Sequence, residues 1–167
     1  SPIKFNPRER SPYVNRIKLM WQEMREVVIA AFPKAPGIPK DLKSYTEKID
    51  EIYVTDAYHS LSIEKYKVTP ELIERLRSGK WNREDNEADL KQKNAMAARG
   101  YWLAFNAVKK SIQRIFEGEN PGIVTDEEHG DWYRELFAPS VTAGILKPSD
   151  LAGYRNQQVY ISRSKHV

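Results

Sequence analysis

Residues 90–116 read LKQKNAMAARGYWLAFNAVKKSIQRIF, and this stretch decides the fold class. Leu90, Ala97, Tyr101, Phe105, Val108, Ile112 and Ile115 recur at the spacings of one helix face. Between them Ala95, Ala98, Ala104 and Ala107 are small enough to let neighbouring helices come close. The pattern predicts one long helix from about Arg83 to Phe116, the central strut of a helical domain. Gly118 and Asn120-Pro121-Gly122 then make a turn.

Working outward toward the N-terminus, Thr69-Pro70 opens a short helix with Leu72, Ile73 and Leu76 inward, closed by Ser78-Gly79. Ser44-Tyr45-Thr46-Glu47 has the capping-box pattern and opens a helix before it. Ile49, Ile52, Tyr53 and Ala57 continue that helix's faces, with Ser60 and Ile63 or Glu64 beyond them. Pro33, Pro36, Gly37 and Pro39 form a stiff connector. Ahead of it Ile17, Met20, Trp21, Met24, Val27, Val28 and Ala31 predict an amphipathic helix over 12–32, with Ser11-Pro12 as N-cap and first helical residue. Toward the C-terminus, Thr125-Asp126-Glu127-Glu128 is a second capping box, for a helix carrying Trp132, Tyr133, Leu136 and Phe137. A short helix is expected across 140–145. Leu151 to Arg155 and Gln158 to Ile161 flank Asn156-Gln157 and predict a β-hairpin, the one strand signal. The chain is therefore mainly α with one small hairpin. Residues 1–43 form an arm, helix and connector, and residues 44–167 form a helical domain.

Composition narrows the class. With 167 residues, 40% hydrophobic and 30% charged, the chain can bury a core without staples. It has no cysteine, which excludes disulfides and thiolate metal sites and suits a reducing compartment. The longest apolar run, Val27 to Phe32, is far short of the roughly 20 residues that span a bilayer, so no membrane partner is expected. No apolar leader precedes residue 10, and the expected location is the cytoplasm. The net charge of +4 is uneven: residues 1–43 hold nine Lys/Arg against four Asp/Glu. A basic arm of this kind can serve nucleic acid or simply be a solvated terminus.

The usual signs of chemistry are missing. His59, His129 and His166 are far apart in sequence and have no metal-ligand spacing. The eight glycines form no phosphate-cradling loop, and there is no nucleophile elbow. Glu127 and Glu128 are expected in a first helical turn, where they would offset the dipole. Two stretches stand apart: Tyr58-His59-Ser60-Leu61-Ser62-Ile63-Glu64-Lys65-Tyr66-Lys67-Val68-Thr69, and Gly153-Tyr154-Arg155-Asn156-Gln157-Gln158-Val159-Tyr160-Ile161.

In this order, with the long helix between them, the two stretches resemble the Fic family of AMP-transferases over about residues 44–167. Ser60-Leu61-Ser62-Ile63-Glu64 looks like the family's inhibitory motif, Ser/Thr-x-x-x-Glu followed by Gly or Asn; here Lys65 takes that last place. Gly153 to Ile161 looks like the hairpin, or flap, upstream of the family's active site. The resemblance implies transfer of AMP from ATP, with Mg²⁺, to Ser, Thr or Tyr hydroxyls of target proteins. It implies that Glu64 is a brake held by Ser60, pairing with an arginine of the catalytic signature in place of the γ-phosphate. It further implies that Gln158, Val159, Tyr160 and Ile161 are an edge that docks an extended target segment.

The signature itself, HxFx(D/E)GNGRxxR, is absent from residues 1–167 and would follow the flap. The chain alone is thus expected to hold neither ATP nor Mg²⁺ and to be inactive, its partner being a C-terminal catalytic half. Two other readings stay open: a helical binding module, with the basic arm on nucleic acid, and an inactive Fic-like scaffold.

Overall fold

The computed structural model describes residues 12–78 and 93–152. It is mainly helical, with α1 at Pro12–Ala31, α2 at Leu42–Ile63, α3 at Pro70–Arg77, α4 at Lys93–Phe116 and α5 at Pro121–Thr142. A 3-10 turn at Pro148–Leu151 follows, and no strand occurs among the described residues. Leu151 closes that turn and so is not the first residue of a strand. The rest of the expected hairpin, with Gln158, Val159, Tyr160 and Ile161, lies outside the described residues. So does the part of the long helix expected before Lys93. No described helix is long and apolar enough to cross a membrane. The chain divides into two compact units, Ser1–Ile38 and Pro39–Val167, with the boundary inside the proline-rich connector.

In the first unit the described secondary structure is α1 alone. In the second unit the helix starts follow from capping, though not at the residues expected. α2 begins at Leu42, because the Asp41 carboxylate accepts a hydrogen bond from the Ser44 N–H at 3.0 Å. Asp41 satisfies an amide that the first turn leaves unpaired, so Ser44 lies inside the helix. α5 begins at Pro121, since Asn120 Oδ1 accepts from the N–H groups of Gly122 and Ile123. Thr125 is therefore one turn inside, and its hydroxyl donates to the Pro121 carbonyl at 2.8 Å. α3 starts as its sequence implies, with Thr69 Oγ1 accepting from the Leu72 N–H at 3.2 Å.

The second unit's main core joins α2, α3 and the first turns of α4. Tyr53, Ala57 and Leu61 on α2 meet Ile73 and Leu76 on α3 and Ala95, Met96, Ala97 and Ala98 on α4. Burying Ile73 and Leu76 fully is worth about 1.5–3 kcal/mol each. The inward line of α2 runs through 53, 57 and 61. Ile52 and Ile63 lie off it and are 57% and 72% exposed.

α4 is antiparallel to both neighbours, as the pairing of positions along it shows. From one end of α4 to the other, α2 presents Tyr45 to Phe116, Asp50 to Lys109, and Asp56 to Tyr101. α5 in turn presents Glu128 to Arg114, Trp132 to Ser111, and Leu136 to Gly100. α2 and α5 therefore run in the same direction, and their C-terminal ends lie at the same end of the unit. Gly100 sets the closest α4–α5 approach: a Cβ there would stand 1.8 Å from the Leu136 carbonyl oxygen. α5 continues through Pro139 to Thr142, so no separate helix starts at 140.

Candidate functional site

The last turn of α2 ends on a hydrogen-bond pattern that fixes the backbone path around Glu64. Lys65 N–H donates to the Ser62 carbonyl and Tyr66 N–H to the Leu61 carbonyl, both at 3.0 Å. These are the two reversed bonds of a Schellman motif, in which the residue after the cap takes a left-handed conformation. Lys65 takes it, with φ +67°, although Gly or Asn would do so at lower cost. The chain is then held on its outward path. Lys67 N–H donates to Asn94 Oδ1 at 3.0 Å, Val68 is buried, and Thr69 caps α3.

Glu64 is the C-cap of this turn and is exposed, while Ser60, one turn earlier, is half-buried. Both line a cleft of about 350 Å³ with Leu61, Tyr66, Ala97, Tyr101, Leu136, Phe137 and Ser140. α5 ends at this cleft in the same manner as α2. Gly144 has φ +71°, its N–H donates to the Val141 carbonyl, and the Ile145 N–H donates to Ser140. Two helix C-termini and the Glu64 carboxylate thus share one cleft, and among the described residues no Lys or Arg lines it. Each C-terminus carries partial negative charge from its end carbonyls. Glu64 is the charged side chain among the described residues that line the cleft.

The Ser60 turn is tied to the strut. The Tyr101 phenol donates to Asp56 Oδ2 at 2.6 Å and lies 3.1 Å from Ser60 Oγ, which is placed to donate in return. Burial, and then the hydrogen bond to Asp56, push the Tyr101 phenol up to about 12. Sequence reasoning placed Tyr101 on the packing stripe and passed over this role. The available signal was the i,i+4 pair Asp56 and Ser60 on the α2 face that meets α4. Tyr53, one layer deeper, is fully buried with its hydroxyl unpartnered among the described residues. Burial raises the Tyr53 phenol as well.

At the opposite end of α4, Arg114 gathers Glu119, Glu127 and Glu128. Its contact with Glu119 is a fork, Nε to one carboxylate oxygen at 2.8 Å and Nη2 to the other at 2.6 Å. Glu119, then Glu127, hold the guanidinium firmly protonated, and Arg114 lowers the Glu119 carboxyl. Glu127 and Glu128 were expected to offset a helix dipole from a first turn. They stand in the second turn of α5 and serve as counter-ions to Arg114 instead. This cluster stitches the α4–α5 turn together.

The histidines do not converge. His59 is exposed beside Tyr58, and His129 Nδ1 bonds to carbonyls of its own helix, Thr125 and Asp126, while His166 lies outside the described residues. Among the described residues no three His, Cys, Asp or Glu gather as metal donors. Glu64, the one carboxylate among the described residues of the cleft, does not by itself fit a magnesium–triphosphate group, and it would repel the triphosphate. No known family profile, curated protein or solved structure matches this chain.

Proposed function

We propose that this chain is the N-terminal regulatory and target-docking part of a Fic-type adenylyltransferase, with Glu64 as its brake. The observation that carries the reading is the turn at 60–66. The inhibitory motif requires a glutamate on a helix end, followed by a residue suited to left-handed backbone. Here that next residue, Lys65, has φ +67° although it is not glycine or asparagine. Lys65 thus makes the left-handed step that Gly or Asn would make at that place, which supports the reading.

The electrostatics support the same role. An arginine of the catalytic signature would enter between Leu61, Leu136 and Phe137 and form a fork with the Glu64 carboxylate. The C-terminal dipoles of α2 and α5 add to that attraction. With Glu64 in that place a γ-phosphate meets like charge, and ATP is held unproductively or not at all. Ser60, bonded to Tyr101, keeps the turn in register. The target-docking role of Gln158 to Ile161 rests on the sequence pattern alone. ATP, Mg²⁺ and the protein hydroxyl belong to the activity proposed for the complete enzyme.

Reading the encoding gene past the Val167 codon, together with the intact mass of the natural protein, tests the proposal. A histidine-led GNGR signature in the encoded continuation supports it. A gene product that lacks such a signature removes the catalytic reading.

A further inference from the structure

α1 carries an apolar seam that no second described helix of its unit covers. Tyr13, Ile17, Met20, Met24, Val27 and Ala31 follow one another at alternating four- and three-residue steps, the repeat at which two helices pack side by side. Val14, Trp21 and Val28 widen the seam along one flank to the breadth of a bundle face. Ile17 is 64%, Val27 70% and Trp21 49% exposed, while Val14 and Val28 are half-buried. On the other flank stand Arg16 and Glu23, one heptad apart and opposite in charge.

We propose that α1 is a self-association element that pairs antiparallel with α1 of a second copy of this chain. The charges choose the orientation. In a parallel pair the Arg16–Glu23 flank faces the other helix's apolar flank, so Arg16 would meet Trp21 and Glu23 would meet Val28. In an antiparallel pair like flanks face each other. Setting Ile17 of one copy opposite Met20 of the other brings each Arg16 beside a Glu23, and does so twice by symmetry. On the opposite flank the same register lays Trp21 over Val14 of the other copy. The paired span is Tyr13 to Met24 in each chain, and the opposed helix dipoles favour it further. A second copy is the occupant because, over Tyr13 to Met24, Arg16 and Glu23 are complementary to each other across the pair; Val27, Val28 and Ala31 lie beyond that span. The proposal is independent of any chemistry in the second unit.

Sedimentation velocity of the chain over a wide concentration range tests it. The expected result is a concentration-dependent species of twice the 19.4 kDa chain mass. Met20→Glu should leave the monomer alone, with thermal unfolding of the second unit unchanged as the check on folding. Arg16→Glu should weaken association about tenfold by replacing two attractions with two repulsions. Arg16→Glu combined with Glu23→Arg should restore it. A monomer at every concentration, a dimer indifferent to Met20→Glu, or a charge swap that fails to restore association would each overturn the proposal.

Discussion

α1 and α2 are helices of 20 and 22 residues, each with an apolar stripe, but only one stripe is covered within its own unit. α2 buries Tyr53, Ala57 and Leu61, and its polar groups are spoken for across the interface, Asp50 by Lys109 and Asp56 by Tyr101. α1 leaves Ile17, Met24 and Val27 exposed, and Arg25 pairs with its neighbour Glu26. Apolar period makes a helix in both cases. The α2 stripe becomes a core because small residues on the facing helix, such as Ala95 and Ala98 on α4, leave room for it.

The sharpest way to break this comparison is to cut the same kind of side chain from both helix systems. Ile73→Ala, in the core that α2 and α3 share, should cost about 4 kcal/mol of stability through lost burial and a residual cavity. Val27→Ala on α1 should change unfolding of the second unit by less than about 0.5 kcal/mol, both read by urea denaturation. Equal losses would mean that the α1 stripe is part of the same core.

Next comes the close approach of α4 and α5. Gly100→Ala forces a methyl into the Leu136 carbonyl and should cost about 3 kcal/mol, the upper part of the usual range for overpacking. An unchanged denaturation midpoint would show that α4 and α5 are not in contact there. A smaller effect of opposite sign belongs to the turn at Glu64. Lys65→Gly should raise stability by about 1 kcal/mol, because φ +67° strains any residue with a Cβ.

The smallest effect is the pH dependence of the α2–α4 tie. The Tyr101 phenol titrates at about 12 when folded, against 10.0 ordinarily, so the folded state holds its proton more tightly. That contribution is complete below pH 10 and is lost as pH rises from 10 to 12. Tyr101→Phe should remove its share of the alkaline loss. An alkaline slope identical in the variant would mean that neither burial nor the bond to Asp56 raises the Tyr101 phenol on folding.

Much of this fold was legible in the sequence. The long strut, the α3 helix with its Thr69 cap, and the mainly helical class all follow from apolar spacing and local capping chemistry. Helix starts were less legible, because a capping box at Ser44 or Thr125 competes with an Asp or Asn a few residues earlier. Asp41 and Asn120 win by reaching the first free amides. Gly100 gave a signal, a glycine inside a strong helix pattern, whose meaning depends on Leu136, far away in sequence. At the candidate site, Ser60 and Glu64 could be named from their motif. Tyr101, Leu136, Phe137 and Ser140 could not, since only tertiary packing brings them to the same cleft.

The central claim is that Glu64 restrains an AMP-transferring enzyme. Its most direct test is AMP incorporation from labelled ATP and Mg²⁺ by the complete natural protein and its Glu64→Gly variant, followed on gels and by mass. The prediction is weak labelling in the natural protein and a clear rise in the variant. No AMP adduct in either protein would contradict an AMP-transferring enzyme. Equal, strong labelling in both would leave Glu64 with no part in restraint.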